Sequence, residues 1–200
     1  MNDLRTYEIF QRNLSTLKET CVDTHDGIPV PQLTRSERVA INFDKVKEDY
    51  IQDLQLAQTP ASNDALFETE DGAVVFVEFK NGYLDSKKGY ELTKKIYDSM
   101  LIFSDITGIT IGTSRNMMDY ILVYNQEKNK EHQSALEREN PATSVQESPS
   151  YNRFGDIVSS LGKTETVLFR LKKFENYLFR KVHTYNEEQF ERYLSSLTEA

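Results

Sequence analysis

The chain has 200 residues, of which 38% are hydrophobic and 28% charged, and its formal net charge is −8. This composition is typical of a globular domain with a real core and excludes a wholly disordered chain. The negative charge excludes nucleic-acid binding through overall positive charge, so such binding would need a local basic patch or bound metal ions.

The first quarter of the chain has the apolar spacing of helices. Residues 3–20 predict one helix, within an N-terminal segment that covers 1–33. A second helical region is predicted over about 34–56, and Asp44 could cap the start of its better-patterned half. We therefore expect two helices before the first strand.

A β-hairpin is predicted between Asn63 and Lys80, where two β-prone runs flank an Asp-Gly turn. Side chains alternate between the two faces of a strand, so Glu78 and Lys80 share one face near its end. Both faces of this second strand are otherwise apolar, which suits a strand covered on both sides. Two charges buried at its end would need a partner or a function.

A helix over about 86–105 and a strand over about 117–124 follow the hairpin. Strand, helix and strand in this order predict a right-handed crossover in a partly parallel sheet. Residues 126–150 are polar and charged, so we expect a solvated insertion that is partly helical or disordered. Apart from this insertion, residues 1–200 are expected to form a single domain.

The C-terminal part returns to patterns of ordered structure. A short helix is predicted over about 154–161, and two β-prone runs follow at 166–174 and 177–185. The last helix is predicted to begin at Asn186, with Gln189 completing a capping box.

The cysteine content and the apolar runs bear on the compartment. The single cysteine, Cys21, excludes an internal disulfide and a cysteine zinc site, which suits a reducing compartment. The charged N-terminus lacks the apolar core of a signal peptide, and no apolar run approaches the roughly 20 residues that span a bilayer. We expect a soluble, cytoplasmic protein without a membrane partner.

An Asp at a strand start, a second strand that ends in Glu-x-Lys and a helix–strand crossover resemble the PD-(D/E)xK nuclease superfamily. The resemblance covers about 34–125, with Asp64, Glu78 and Lys80 in the motif positions and Asn63 in place of the usual proline. It implies an α/β fold with a restriction-endonuclease-like core, a central mixed β-sheet flanked by helices. It also implies a Mg²⁺- or Mn²⁺-dependent endonuclease, with DNA as the expected substrate.

The motif residues suit phosphodiester hydrolysis. Mg²⁺ binds one or two carboxylates and keeps its waters for substrate phosphates, so Asp64 and Glu78 could hold one ion. The backbone carbonyl of Phe79 could add a metal ligand. Lys80 would orient the attacking water or stabilise charge that builds up on the phosphate.

Two aspects of this site stay open at the level of sequence. Superfamily members often add an acidic residue from the first core helix, and Asp44, Glu48 and Asp49 are equal candidates. The tripeptide itself is a weak signal, because the turn from Asp85 to Lys87 also matches (D/E)xK. The strand context and the upstream Asp64 therefore carry the prediction.

The helix after the hairpin has a basic character that is unusual for this acidic chain. Its lysines are expected to contact nucleic acid, while interleaved tyrosines could stack on bases. These lysines are Lys87, Lys88, Lys94 and Lys95. The alternative is a solvated helix face with no binding role.

Two other functions remain compatible with the sequence. The chain could be a catalytically inactive binding module on the same fold, an immunity or regulatory protein that docks a protein partner, which the net charge of −8 favours. It could also be a subunit, in a homodimer or beside a basic partner chain that supplies the affinity for nucleic acid.

Overall fold

A computed structural model describes most of the chain. The described residues are, in chain order, 3–22, 24–25, 28–29, 32–131 and 166–197, with the backbone alone for the two short segments. The predicted helix over 154–161 and the insertion beyond Glu131 lie outside them. None of the helices that the structure describes is both long and apolar enough to cross a membrane.

In the described part of the chain, six strands form one mixed sheet, and two short strands pair separately. The six strands, in spatial order, are β1 (Leu14–Thr16), β4 (Val39–Asn42), β5 (Ala65–Glu68), β6 (Val74–Lys80), β7 (Met118–Tyr124) and β8 (Lys181–Tyr185). The separate pair is β2 (Thr24–His25) and β3 (Ile28–Pro29). Neighbours are antiparallel from β1 to β6 and parallel from β6 to β8.

Helices flank this sheet, so the predicted α/β class with a central mixed sheet is confirmed. The helices are α1 (Glu8–Arg12), α2 (Leu17–Thr20), α3 (Phe43–Ile51), α4 (Ser86–Thr107), α5 (Ile111–Met117) and α6 (Glu187–Ser196). Short 3₁₀ turns lie at Leu4–Thr6, Glu127–Asn129 and Leu171–Phe174. The prediction for the last helix is confirmed, since Asn186 caps α6 and Gln189 completes the capping box.

The prediction of one continuous helix over 3–20 is wrong. The structure has two short helices, α1 and α2, with β1 between them. β1 pairs antiparallel with β4, Leu14 opposite Ile41 and Thr16 opposite Val39. The hydrogen bonds to β4 outweigh the local helical spacing, and Thr16 then caps α2 through its side chain.

The second helical prediction, over 34–56, is correct only in its middle. Residues Val39–Asn42 form β4, which pairs with β1 and β5, and α3 ends at Ile51. The N-cap of α3 is Asn42 rather than Asp44, because the Asn42 side chain accepts a hydrogen bond from the Lys45 N–H at 3.0 Å. Asp44 therefore lies inside the first turn, with its carboxylate directed elsewhere.

The β-prone run over 166–174 is not a strand. Phe169 and Arg170 have positive φ angles of 56° and 58°, which turn the chain into the 3₁₀ helix that follows. This turn buries Leu171 and Phe174 in the core. The second run, 177–185, forms a strand only in its last five residues, which are β8.

The predicted hairpin is confirmed, and so is the predicted parallel pairing of the strands before and after the helix that follows it. β5 and β6 pair antiparallel around Gly72, whose φ of 79° is a left-handed conformation that glycine adopts without strain. β6 leads through α4 and α5 into β7, which pairs with β6 in parallel. The start of β5, next to Asp64, and the end of β6, at Lys80, consequently lie side by side at the same end of the hairpin.

Apolar side chains cover both faces of β6, as its sequence predicts. On one face, Val74 and Phe76 belong to a core with Leu92, Ile96 and Phe103 of α4. On the other face, the alternate β6 residues Val75, Val77 and Phe79 pack in a second core. This core includes Phe190 and Leu194 of α6. Alternation then directs the side chain of Glu78 toward the α4 layer.

A buried asparagine fixes the loop that joins β6 to α4. Asn129 Oδ1 accepts a hydrogen bond from the Leu84 N–H at 2.9 Å, and its Nδ2 donates to the carbonyls of Gly82 and Asn125 at 3.1 and 2.8 Å. We expect Asn129→Ala to lower the free energy of unfolding by about 1–3 kcal/mol, because it removes three hydrogen bonds between a buried side chain and the backbone. Urea denaturation measures this, with the exposed Lys128→Ala as control; equal losses in the two variants would contradict it.

Candidate active site

The three predicted motif residues come together where β5 begins and β6 ends. Asp64 directly precedes β5, and its N–H donates a hydrogen bond to the Val77 carbonyl at 3.1 Å. Its Oδ2 accepts a hydrogen bond from the Phe79 N–H at 2.7 Å. Glu78 and Lys80 lie in the last three residues of β6. The hairpin therefore holds both carboxylates and the motif lysine in one cluster.

A second lysine, from α4, lies between the two carboxylates. Lys95 Nζ is 2.6 Å from Glu78 Oε1 and 3.1 Å from Asp64 Oδ1. Lys80 Nζ is 2.7 Å from the same Glu78 oxygen. The cluster thus contains two carboxylates and two ammonium groups, all within ion-pairing distance of at least one partner.

Lys95 differs from the other lysines of its helix. The sequence predicts Lys95 to contact nucleic acid, but its side chain is only 21% exposed and points into the cluster. Lys87 and Lys94 are exposed to solvent, and Lys88 is half-buried. The structure therefore places Lys95 in the candidate site and leaves the other three at or near the surface.

The chain ahead of β5 is clamped onto the same face of α4. The Ala61 N–H donates a hydrogen bond to Asp98 Oδ2 at 2.7 Å, and the Asn63 N–H donates to Ser99 Oγ at 2.8 Å. Lys95, Asp98 and Ser99 are three and four residues apart, which puts them on one side of a helix. This clamp fixes the position of Asp64 relative to α4.

Burial and charge shift the protonation of the cluster. The Glu78 side chain is fully buried and that of Asp64 is 14% exposed. Burial and the charge of Glu78 raise the pKa of Asp64 from 3.8 to about 7, against the opposing effect of Lys95 and Lys80. Burial would lower the pKa of Lys95, but Glu78 and Asp64 together raise it well above its usual value. Asp64 can therefore gain or lose a proton near neutral pH, while Lys95 stays charged.

Several buried polar atoms beside this cluster have no hydrogen-bond partner within the described part of the chain. They are Glu78 Oε2, the Tyr120 hydroxyl and both polar side-chain atoms of Asn63. Burial raises the pKa of Tyr120, and the charges of Glu78 and Asp64 raise it further, so its hydroxyl lies within the field of both carboxylates. Buried polar atoms without partners are rare and often mark a place for water or an ion.

Neither Tyr120 nor the Asn63 side chain was expected at this site. Tyr120 lies in the apolar strand β7, opposite Phe76, and is fully buried. Its position follows from the parallel register of β6 and β7, which the sequence alone does not give. Asn63 is visible in the sequence only as the replacement for the motif proline.

The structure distinguishes the three candidates for an additional acid. Glu48 is exposed, and Asp49 accepts a hydrogen bond from the N-terminal segment. Asp44 accepts a hydrogen bond from Ser62 Oγ, two residues before the motif aspartate, and its charge contributes to the raised pKa of Lys95. Asp44 is thus the acid of α3 that faces the cluster.

The donor atoms suit a hard divalent cation. Asp64 and Glu78 offer carboxylate oxygens, and Glu78 Oε2 has no competing hydrogen bond in the described structure. The Phe79 N–H points to Asp64, and in an extended strand the carbonyl of the same residue faces the same side. No group of three or more His, Cys, Asp or Glu side chains in the described residues is placed to hold a metal, so water and phosphate oxygens would complete the coordination.

No family model, curated protein or solved structure matches this chain. The resemblance to the nuclease superfamily consequently depends on the motif residues and their geometry alone. The mixed α/β sheet is a feature of the structure, whereas a restriction-endonuclease-like core remains a prediction.

Proposed function

We propose that this protein is a metal-dependent nuclease that hydrolyses phosphodiester bonds, with DNA as the expected substrate. The observation that carries the proposal is the convergence of Asp64, Glu78 and Lys80 at the end of a buried hairpin. Asp64 and Glu78 both contact the ammonium of Lys95 in a largely buried site. Burying such charges costs free energy, and sites of this kind often have a function.

Each residue has a distinct role in this proposal. Asp64 and Glu78 would hold Mg²⁺ or Mn²⁺, which when bound polarises the phosphate and lowers the pKa of the attacking water. Lys80 ion-pairs with Glu78 while its side chain stays 25% exposed, so it can reach a water or a phosphate oxygen. Its ammonium would orient that water or stabilise negative charge on the phosphate.

A groove beside the start of α4 supports contact with nucleic acid. It encloses about 590 Å³, and its lining includes Tyr83, Tyr90, Arg170 and Lys173. Tyr90 is 73% exposed and Tyr83 is 45% exposed, which makes their rings accessible to bases. Basic side chains beside accessible aromatic rings suit a phosphate backbone with unstacked bases, and exposed Lys87 lies on the same helix.

Cleavage assays with the purified protein test this proposal. We expect plasmid DNA to be cleaved when Mg²⁺ or Mn²⁺ is present and to stay intact when EDTA removes the metal. A parallel assay with RNA determines which nucleic acid is the substrate. Absence of cleavage of both DNA and RNA with either metal would contradict the proposal.

One observation favours the second candidate, a catalytically silent binding module. Lys95 contacts both carboxylates and Lys80 contacts Glu78, so two ammonium groups of the chain itself already balance the two carboxylates. The net charge of −8 would then suit a basic protein partner. Calorimetry with Mn²⁺ separates the candidates, because a silent module would release no heat and Asp64→Ala would change nothing.

A further inference from the structure

We propose that Lys95 is a built-in competitor of the metal ion, which must leave Asp64 and Glu78 before an ion binds them. Lys95 would thereby set the affinity of the site for divalent cations. This inference depends on the proposed function for the location of the metal site. It assigns a role to a residue that lies outside the Asp64, Glu78 and Lys80 motif.

The competition follows from the atoms that Lys95 contacts. Its Nζ lies 2.6 Å from Glu78 Oε1 and 3.1 Å from Asp64 Oδ1, and a metal ion held by the two carboxylates would draw on the same pair of side chains. A divalent ion placed between the two carboxylates would lie within a few ångströms of this ammonium, and the two positive charges would repel strongly where water is largely excluded. The ammonium and the ion cannot both occupy the space between the carboxylates.

The charge balance of the cluster leads to the same conclusion. Without metal, and with both carboxylates ionised, two carboxylates face two ammonium groups and the charges cancel. A divalent cation would leave this cluster with excess positive charge around the fully buried Glu78 side chain. Of the two carboxylates, Lys80 contacts only that of Glu78, whereas Lys95 contacts both. Lys95 is therefore the ammonium that occupies the position of the metal ion.

The side chain of Lys95 can move while its backbone stays in place. Leu92, Ile96 and Ser99 on the same side of α4 are fully buried, which holds the helix against the sheet. The four-carbon stem of a lysine is flexible, so its ammonium can swing away without a shift of the helix. Asp44, which accepts a hydrogen bond from Ser62 Oγ and whose side chain is 47% exposed, offers an acidic partner for the released ammonium.

Lys95→Met tests the inference, because methionine keeps an unbranched apolar stem and removes the charge. We expect the Mn²⁺ dissociation constant from calorimetry to fall at least about tenfold in this variant. Lys94→Met, which removes the exposed lysine next to it on α4, is the matched control and should leave the constant unchanged. Equal or weaker binding by Lys95→Met than by the wild type would overturn the inference.

The same experiment separates this inference from the proposed function. If Lys95→Met binds Mn²⁺ and the wild type does not, Lys95 is a competitor and the native chain is not a metal-dependent nuclease. If neither protein binds Mn²⁺, the inference is overturned as well. If the wild type binds and Lys95→Met binds more tightly, the inference is supported, and the cleavage assay alone decides the function.

A labelling experiment on the wild-type protein covers the case in which Lys95→Met does not fold. Acetic anhydride acetylates accessible lysines, and mass spectrometry reads the extent at each position. We expect Mn²⁺ to increase the acetylation of Lys95 while that of Lys94 stays constant. No increase at Lys95 with added Mn²⁺ would overturn the inference.

Discussion

Glu78→Gln is expected to lower metal-dependent cleavage by at least about 100-fold, a loss of about 2.7 kcal/mol in transition-state stabilisation. The Glu78 carboxylate is fully buried and contacts the ammonium groups of both Lys80 and Lys95. Glutamine keeps the shape of the side chain but cannot neutralise a divalent cation, so metal binding should fail with cleavage. Circular dichroism and calorimetry with Mn²⁺ show whether the variant is folded and whether it binds metal.

The second tripeptide in the sequence supplies the matched control for this variant. Asp85 caps α4, since its side chain accepts a hydrogen bond from the Lys88 N–H at 2.8 Å. Asparagine caps helices about as well as aspartate, so Asp85→Asn should leave both stability and cleavage close to the wild type. Cleavage that survives in Glu78→Gln, or that falls equally in both variants, would contradict the assignment of Glu78.

The metal-free wild type is expected to lose stability relative to Asp64→Asn as the pH rises from about 4 to about 7. The pKa of Asp64 is raised from 3.8 to about 7 by burial and by the charge of Glu78. Between these values the folded chain keeps a proton that the unfolded chain releases, so a rising pH favours unfolding. The loss across this interval should be on the order of 2–4 kcal/mol, because asparagine stays neutral throughout.

Urea denaturation of both proteins over this pH range measures the effect. The difference in free energy of unfolding between Asp64→Asn and the wild type should grow up to about pH 7 and then level off. Divalent metal should restore part of the lost stability above this pH, since it binds the ionised carboxylate. Parallel pH profiles of the two proteins would contradict the raised pKa of Asp64.

The motif residues could be predicted because their arrangement depends on local structure. A hairpin around Gly72 and the two-residue alternation along β6 suffice to bring Asp64, Glu78 and Lys80 to one edge. Both features depend on a short stretch of sequence. The location of Tyr120 required the register between β6 and β7, which are far apart in the chain.

Lys95 is the site residue that its local sequence does not separate from the solvated lysines of α4. A cluster of lysines on a helix is usually solvated. Leu92, Ile96 and Ser99 recur at helical intervals and are fully buried, and Lys95 lies on their side of α4. This spacing was the signal that could have placed Lys95 toward the sheet.

The errors in the N-terminal part have a different physical origin. β1 and β4 have three and four residues, and their hydrogen bonds go to strands that are distant in sequence. Local apolar spacing favours a helix in both regions. Strand preference depends on the neighbouring strands, so such short strands emerge only when the sheet is assembled.

A crystal of the wild-type protein soaked in Mn²⁺ tests the central claim most directly. The account predicts one anomalous peak within coordination distance of Asp64 and Glu78, with the Lys95 ammonium moved away from both carboxylates. Glu78→Gln crystals treated in the same way should show no peak there. A soaked wild-type crystal with no anomalous peak at the cluster, and with Lys95 still bridging the carboxylates, would contradict it.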